Sequence, residues 1–352
     1  MFLETYKQNP DFLNIGRKLL DWYSVYGRDL PFRKTKNPYK IWICEVVFQQ
    51  TRIAQGMSHY LNFIERFPDI KSLADASTDD VLLHWKGLGY YSRAMNIHKA
   101  AKQIVEEFNG EFPSEYRDIL KLKGIGKYTA AAVSSICFGG DYPAIDGNFY
   151  RVISRLFADD YDISKSTAFQ YFSEISMKII PENRTGDFNQ AMMDLGSEIC
   201  KPKNPVCIIC PVNEDCLAFS TGKTNLFPVK KKKTEVKDLS LTYYFVSFED
   251  KFLIRRRGTD FIWKNLYEFP VSVPEDWEQY IAKHTNVKYK LTHRNLNIDI
   301  YTVNLPHQNL FEDFASEGDF IISSFEESQS KSFPKPLENY IKHSAVGEAS
   351  FH

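Results

Sequence analysis

The chain has 352 residues, 43% hydrophobic and 25% charged, with 44 Lys and Arg against 45 Asp and Glu and a net charge of −1. That length and apolar fraction allow two or three domains with at least one sizeable core; near-neutrality excludes a bulk polycation but not a local basic surface. No run of about 18 uninterrupted apolar residues exists, which excludes a spanning helix, and the first residues lack the pattern of a secretory signal, so a cytoplasmic protein is expected.

Up to about residue 220 the apolar positions recur at three- and four-residue spacing, as in LLDWYSVY and TAFQYFSEISMKII, which predicts a mainly helical region. Residues 1–230 hold 28 basic and 27 acidic side chains, and 231–352 hold 16 and 18, so a polyanion would have to be met by local windows. Two exist: Arg28, Arg33, Lys34, Lys36 and Lys40, opposed only by Asp29, and Lys121, Lys123 and Lys127, with no acid among them. The stretch NPYKIWICEVVFQQTRIAQ reads as one helix with Glu45 inside an apolar run. A carboxyl so flanked is either desolvated, with a raised pKa suited to a general acid, or sits at the helix's exposed edge.

Further on, Gly124 and Gly126 in LKGIGKYTAAAVSSICFGG form a tight turn before an alanine-rich helix. Such a turn directs backbone N–H groups and a helix N-terminus at a phosphate, or is simply a corner between helices. Asp146, in AIDGNFYRVISR, precedes an amphipathic helix and reads alone as a cap. Cys200, Cys207, Cys210 and Cys216 follow with the spacing C-x6-C-x2-C-x5-C. Four thiols this close, without a secretory signal, point to zinc or an iron–sulfur cluster rather than disulfides. Cys44 and Cys137 read as core residues.

The polar, basic stretch 221–238 reads as an interdomain linker. Beyond it LTYYFVSF, KFLIRRR, YKLTHRNLNIDIYTV and DFIISSF predict strands, while WEQYIAKH and PLENYIKH predict helices. The expected fold is therefore multidomain, with a mainly α front and an α/β module behind.

Taken together and in order, WYSVYGRDLPFR, ICEVVFQQTRIAQ, LHWKGLGYYSRAMNIHKAA, LKGIGKYTAAA, AIDGNFYRVISR, FNQAMMDLGSEIC and the four-cysteine loop resemble the MutY-type adenine DNA glycosylases of the helix-hairpin-helix superfamily. The resemblance implies a glycosylase region over 1–220, with a six-helix core about 31–145 and an iron–sulfur subdomain about 1–30 plus 146–220. It also implies a Nudix-like 8-oxoguanine recognition domain over 239–345 and a tail at 346–352. By the same likeness the cysteines hold a [4Fe-4S] cluster, Glu45 protonates N7 of a flipped-out adenine, and Asp146 stabilises the oxocarbenium character at the sugar, a glycoside-hydrolase division of labour.

Tyr128 and Asn148 would line the pocket. Gln50, Thr51, Leu88 and Tyr90 would wedge into the base stack, Arg28, Arg33 and Arg93 would lie near the substrate, and Gly124, Gly126 and Lys127 would serve the phosphate grip. The implied partner is double-stranded DNA carrying adenine opposite 8-oxoguanine or guanine, and the implied protein is a monomer. In the rear module, Leu291-Thr292-His293 stands where the family has a Phe-Ser-His loop for 8-oxoguanine; Thr292 and His293 keep the hydroxyl and imidazole, and Leu291 lacks the ring. Phe32 replaces the family's usual Trp, and Lys123 a frequent Pro. No Glu-rich Nudix box is present, so nucleotide hydrolysis is not expected.

Other classes remain open here. An endonuclease III-like lyase would carry its nucleophilic lysine where this chain has Tyr128; Lys127 is one residue away, about 100° around a helix. A catalytically silent mismatch binder would not need both carboxyls, nor would an iron–sulfur electron carrier.

Overall fold

The computed structural model describes residues 12–231, 235–259 and 261–345. The expected tail and the first eleven residues of the expected iron–sulfur subdomain lie outside them. The described residues fall into two compact units, one running to Asp75 and resuming from Asn96 to residue 231, the other formed by Ala76–Met95 with residues from 235 onward.

The first unit is helical. Helix Lys127–Phe138 packs against Pro38–Val47 on one side and Thr185–Asp194 on the other. It can do so because its middle, TAAAVSS (129–135), is buried and made largely of small side chains. Pro38–Val47 starts at an Asn37 cap that accepts from the Lys40 N–H, and seven of its ten residues are buried. The expected single helix through Gln49–Gln55 is in fact two. Gln50 adopts φ +60°, which breaks the i→i−4 ladder, and a new helix runs Ile53–Arg66. A separate core joins Phe12–Tyr26, Gly147–Leu156, Ala168–Ile179 and Thr185–Asp194 through Leu19, Phe149, Phe172 and Phe188, with Cys200, Cys210 and Cys216 against its edge. The expected linker is partly anchored to this unit, since the Ile163 N–H donates to Val229 O and Arg155 Nε to Thr224 O.

The second unit is built on a six-stranded mixed sheet of β1 (Lys237–Phe248), β2 (Lys251–Arg256), β3 (Tyr267–Glu268), β4 (Ile281–Leu291), β5 (Arg294–Asn304) and β6 (Ile321–Ser324). The order is β3-β2-β1-β5-β4, with β6 on β2 and β1 parallel to β5. One face packs Tyr243, Phe245 and Ile300 against Leu337 and Tyr340 of helix Lys335–Ala345. The other packs Val246 and Val303 against Phe311 of helix Gln308–Glu317. The helix expected at WEQYIAKH is a short 3-10 turn, Glu275–Tyr280, followed directly by β4. Ladder pairing with β5 from Ile281 onward decides the conformation there, where periodicity alone was ambiguous. No helix among the described residues is long and apolar enough to cross a membrane.

Candidate active site

In the first unit, packing of Lys127–Phe138 on Pro38–Val47 brings Tyr128 to Glu45. The Tyr128 hydroxyl donates to Glu45 Oε2 at 2.5 Å, with Met193 Sδ 3.8 Å from it. Glu45 retains some open surface, yet burial dominates its electrostatics and pushes its pKa up to about 7. The Tyr128 bond and the Arg33 charge pull it down, and the Asp146 charge pushes it further up. Burial also holds the Tyr128 phenol well above its ordinary pKa, so it remains the donor. The alternative of a Glu45 at an exposed helix edge is excluded.

Asp146 caps Gly147–Leu156 from extended backbone. It accepts the N–H groups of Asn148 and Phe149, both at 2.9 Å, and Asn148 Nδ2 at 2.8 Å. Burial prevails and raises its pKa, while these three bonds and the Arg151 charge limit the rise by favouring the ionised form. The two carboxyls thus sit in contrasting surroundings, one with a single side-chain donor and one with three donors. Environments of that kind separate a proton-holding acid from an ionised stabiliser.

Sequence reading missed the supports of this pair. Arg151 Nη2 donates to Asn148 Oδ1 at 2.8 Å and Gly196 O at 2.7 Å, and its Nε donates to Cys200 O at 2.7 Å. A continuous path therefore runs from the cysteine loop to Asp146. The available signal was two arginines four apart, Arg151 and Arg155, on an apolar helix face; both are buried. Asp194, fully buried, was missed as well. It accepts both Arg28 Nε at 2.8 Å and Arg33 Nη2 at 2.7 Å, and Arg33 Nη1 also donates to Tyr23 Oη at 2.8 Å. The guanidiniums of Arg28 and Arg33, expected near a substrate, are thus engaged inside the protein.

At the hairpin, Gly124 has φ +77°, and a Cβ there would lie 2.4 Å from Asn96 Cβ, so conformation and space both demand glycine. Gly126 begins Lys127–Phe138 from extended backbone. Lys127 is exposed, its Nζ 5.3 Å from the Phe169 ring centroid, while its neighbour Tyr128 turns inward to Glu45. Gln50 is exposed and Thr51 half-buried in the turn after Pro38–Val47.

Cys200, Cys207, Cys210 and Cys216 line one small cavity with Arg155, Ile199 and Phe219. Arg155 Nη1 lies 3.4 Å from Cys200 Sγ. Among the described residues, no three His, Cys, Asp or Glu side chains group as a site for a single metal ion. Four soft sulfurs around one cavity beside a buried cation nevertheless suit an anionic iron–sulfur cluster by donor chemistry.

In the second unit, Leu88, expected as a wedge, is 9% exposed and belongs to the core, whereas Tyr90 is 47% exposed. Thr292 and His293 form the exposed tip of the β4–β5 hairpin, and the Thr292 hydroxyl hydrogen-bonds the Tyr90 hydroxyl.

A hairpin leading into a buried helix, with an aspartate capping the next one, defines a helix-hairpin-helix base excision repair fold. Residues 43–177 match the family described as HhH-GPD superfamily base excision DNA repair protein. The structure of a thermostable thymine-DNA glycosylase superposes with a TM-score of 0.56 at 27% identity, covering 60% of this chain and 98% of that one. The adenine DNA glycosylase of Buchnera aphidicola subsp. Schizaphis graminum is 34% identical over 92% of this chain and 96% of its own length. That of Homo sapiens is 37% identical over 57% of this chain and 38% of its own. The chain belongs to the adenine DNA glycosylase family.

Proposed function

We propose that this protein hydrolyses the N-glycosidic bond of adenine mispaired with 8-oxoguanine or guanine in duplex DNA, initiating base excision repair as a cytoplasmic monomer. The observation that carries the reading is the Glu45–Tyr128 pair beside the N-capping Asp146. Glu45, with a pKa near neutrality, holds the proton that N7 of adenine takes up, making the base a leaving group. Asp146, whose three accepted hydrogen bonds favour its ionised form against burial, would stabilise positive charge developing at the sugar. Adenine must leave the stack to reach them, because the reacting atoms are closed off within a duplex. Tyr128 and Asn148 orient the two carboxyls, and Gly124, Gly126 and Lys127 grip a phosphate.

Cys200, Cys207, Cys210 and Cys216 would hold a [4Fe-4S] cluster, which ties the 200–216 loop together when bound. The sheet unit, read as a Nudix-like domain over 239–345, would recognise the base opposite adenine through Thr292 and His293. Gln50, Thr51 and Tyr90 would enter the stack; the buried Leu88 would support Tyr90 from below. Arg28 and Arg33 act through Asp194 instead of touching DNA. Strand cleavage by a lysine is disfavoured, because the hairpin-helix position beside Glu45 is Tyr128 and Lys127 lies over Phe169.

The test offers duplexes with adenine opposite 8-oxoguanine, guanine or thymine and measures released adenine. Release from the first two without strand scission is expected. Efficient β-elimination without added base would favour the lyase reading instead.

A further inference from the structure

The loop before helix Ser92–Glu107 has an unusual backbone. Gly87, Gly89 and Tyr90 have φ of +97°, +67° and +46°. Glycine accepts such values, but a bulky side chain rarely adopts them, which directs attention to what holds Tyr90 there. The restraint comes from Arg93. Its Nη2 donates to Leu88 O at 3.1 Å and Gly89 O at 3.3 Å. The same guanidinium lies 5.3 Å from the Trp85 ring centroid and 5.6 Å from that of Tyr90. Trp85 is fully buried and donates its indole N–H to Gly89 O at 3.1 Å, so the clamp stands on a fixed base. The Arg93 N–H closes the turn on Tyr90 O at 2.8 Å.

We propose that Arg93 is the positioning residue for Tyr90, and through the Tyr90 hydroxyl for the Thr292 hydroxyl at the β4–β5 tip. It acts from beneath the loop and need not touch DNA itself. The guanidinium is required for its shape. A planar cation reaches two adjacent carbonyls while lying against two rings; an ammonium offers a compact point charge and does neither well. The consequence for recognition rests on the function proposed above, whereas the clamp itself is a property of the free protein.

The test compares wild type with Arg93→Lys and Arg93→Met in two measurements. First, in protein without DNA, amide hydrogen exchange across residues 86–91 should accelerate about tenfold in both variants, the expected effect of losing a hydrogen-bonded charge. Exchange in Lys127–Phe138 should stay at the wild-type rate, which distinguishes loop release from general unfolding. Second, adenine release from duplexes with 8-oxoguanine or guanine opposite should show the larger share of any loss in KM, with the preference for 8-oxoguanine reduced. Lysine should not rescue methionine. Exchange at the wild-type rate in Arg93→Met, or an unchanged KM with unchanged preference, would overturn the proposal. No adenine release by wild type would instead overturn the functional reading, and the exchange comparison would still decide the role of Arg93.

Discussion

Replacing Tyr128 with Phe removes one hydroxyl and leaves the ring in place, so it isolates what the bond to Glu45 does. That bond is 2.5 Å long and pulls the Glu45 pKa down, opposing the burial that brings it to about 7. A hydrogen bond to a charged group is worth about 1.5–3 kcal/mol, and a pKa unit is worth about 1.4 kcal/mol. Losing the bond should therefore raise the pKa by about one to two units. Because the general acid works in its protonated form, the rate of adenine release under single-turnover conditions should fall on the alkaline side. The limb should lie near pH 7 in wild type and between about 8 and 9 in Tyr128→Phe. The titration belongs to the Glu45–Asp146 pair jointly, so the midpoint is read as a shift between the two proteins. An alkaline limb that stays in place or moves to lower pH would refute the assignment of Glu45 as the proton donor held in check by Tyr128.

Stability should depend on Glu45 as well. Its folded pKa of about 7 exceeds its ordinary 4.5, so the folded state binds the proton more tightly; the resulting stabilisation is complete below pH 4.5 and is lost as pH rises through 7. The difference corresponds to about 3 kcal/mol, and urea titrations at several pH values should show Glu45→Gln reducing the loss on the alkaline side. Asp194→Ala should destabilise the protein by about 3–5 kcal/mol, because it removes the buried carboxylate that bridges the Arg28 and Arg33 guanidiniums; unchanged unfolding by urea would contradict that. On the cluster proposed above, the wild-type protein should carry bound iron and visible absorbance, and Cys210→Ser should abolish both and lower the melting temperature, since Cys210 packs against the neighbouring helical core. Retained iron would remove Cys210 from the ligand set.

The helical front and the strand-rich rear were legible in apolar periodicity, and the hairpin, Asp146 and the cysteine loop in local residue patterns. What was not legible is nonlocal. Nothing near Arg28 or Arg33 announces Asp194, more than 160 residues away. Their appearance as a free basic window followed from reading charge along the chain. Glu45 had two equally good readings until helix Lys127–Phe138 was laid on it. Likewise Ile281–Leu291 could be assigned as strand only with β5 beside it. The grouping of Ala76–Met95 with the sheet unit, which brings Tyr90 to Thr292, has no sequence signature at all.

The most direct test is adenine release by wild type and Asp146→Asn from a duplex carrying adenine opposite 8-oxoguanine, with binding of the same duplex measured in parallel. Asparagine can still cap Gly147–Leu156 but brings no negative charge to the sugar. Release should therefore be lost in the variant while binding persists. Release at the wild-type rate by Asp146→Asn would contradict the account.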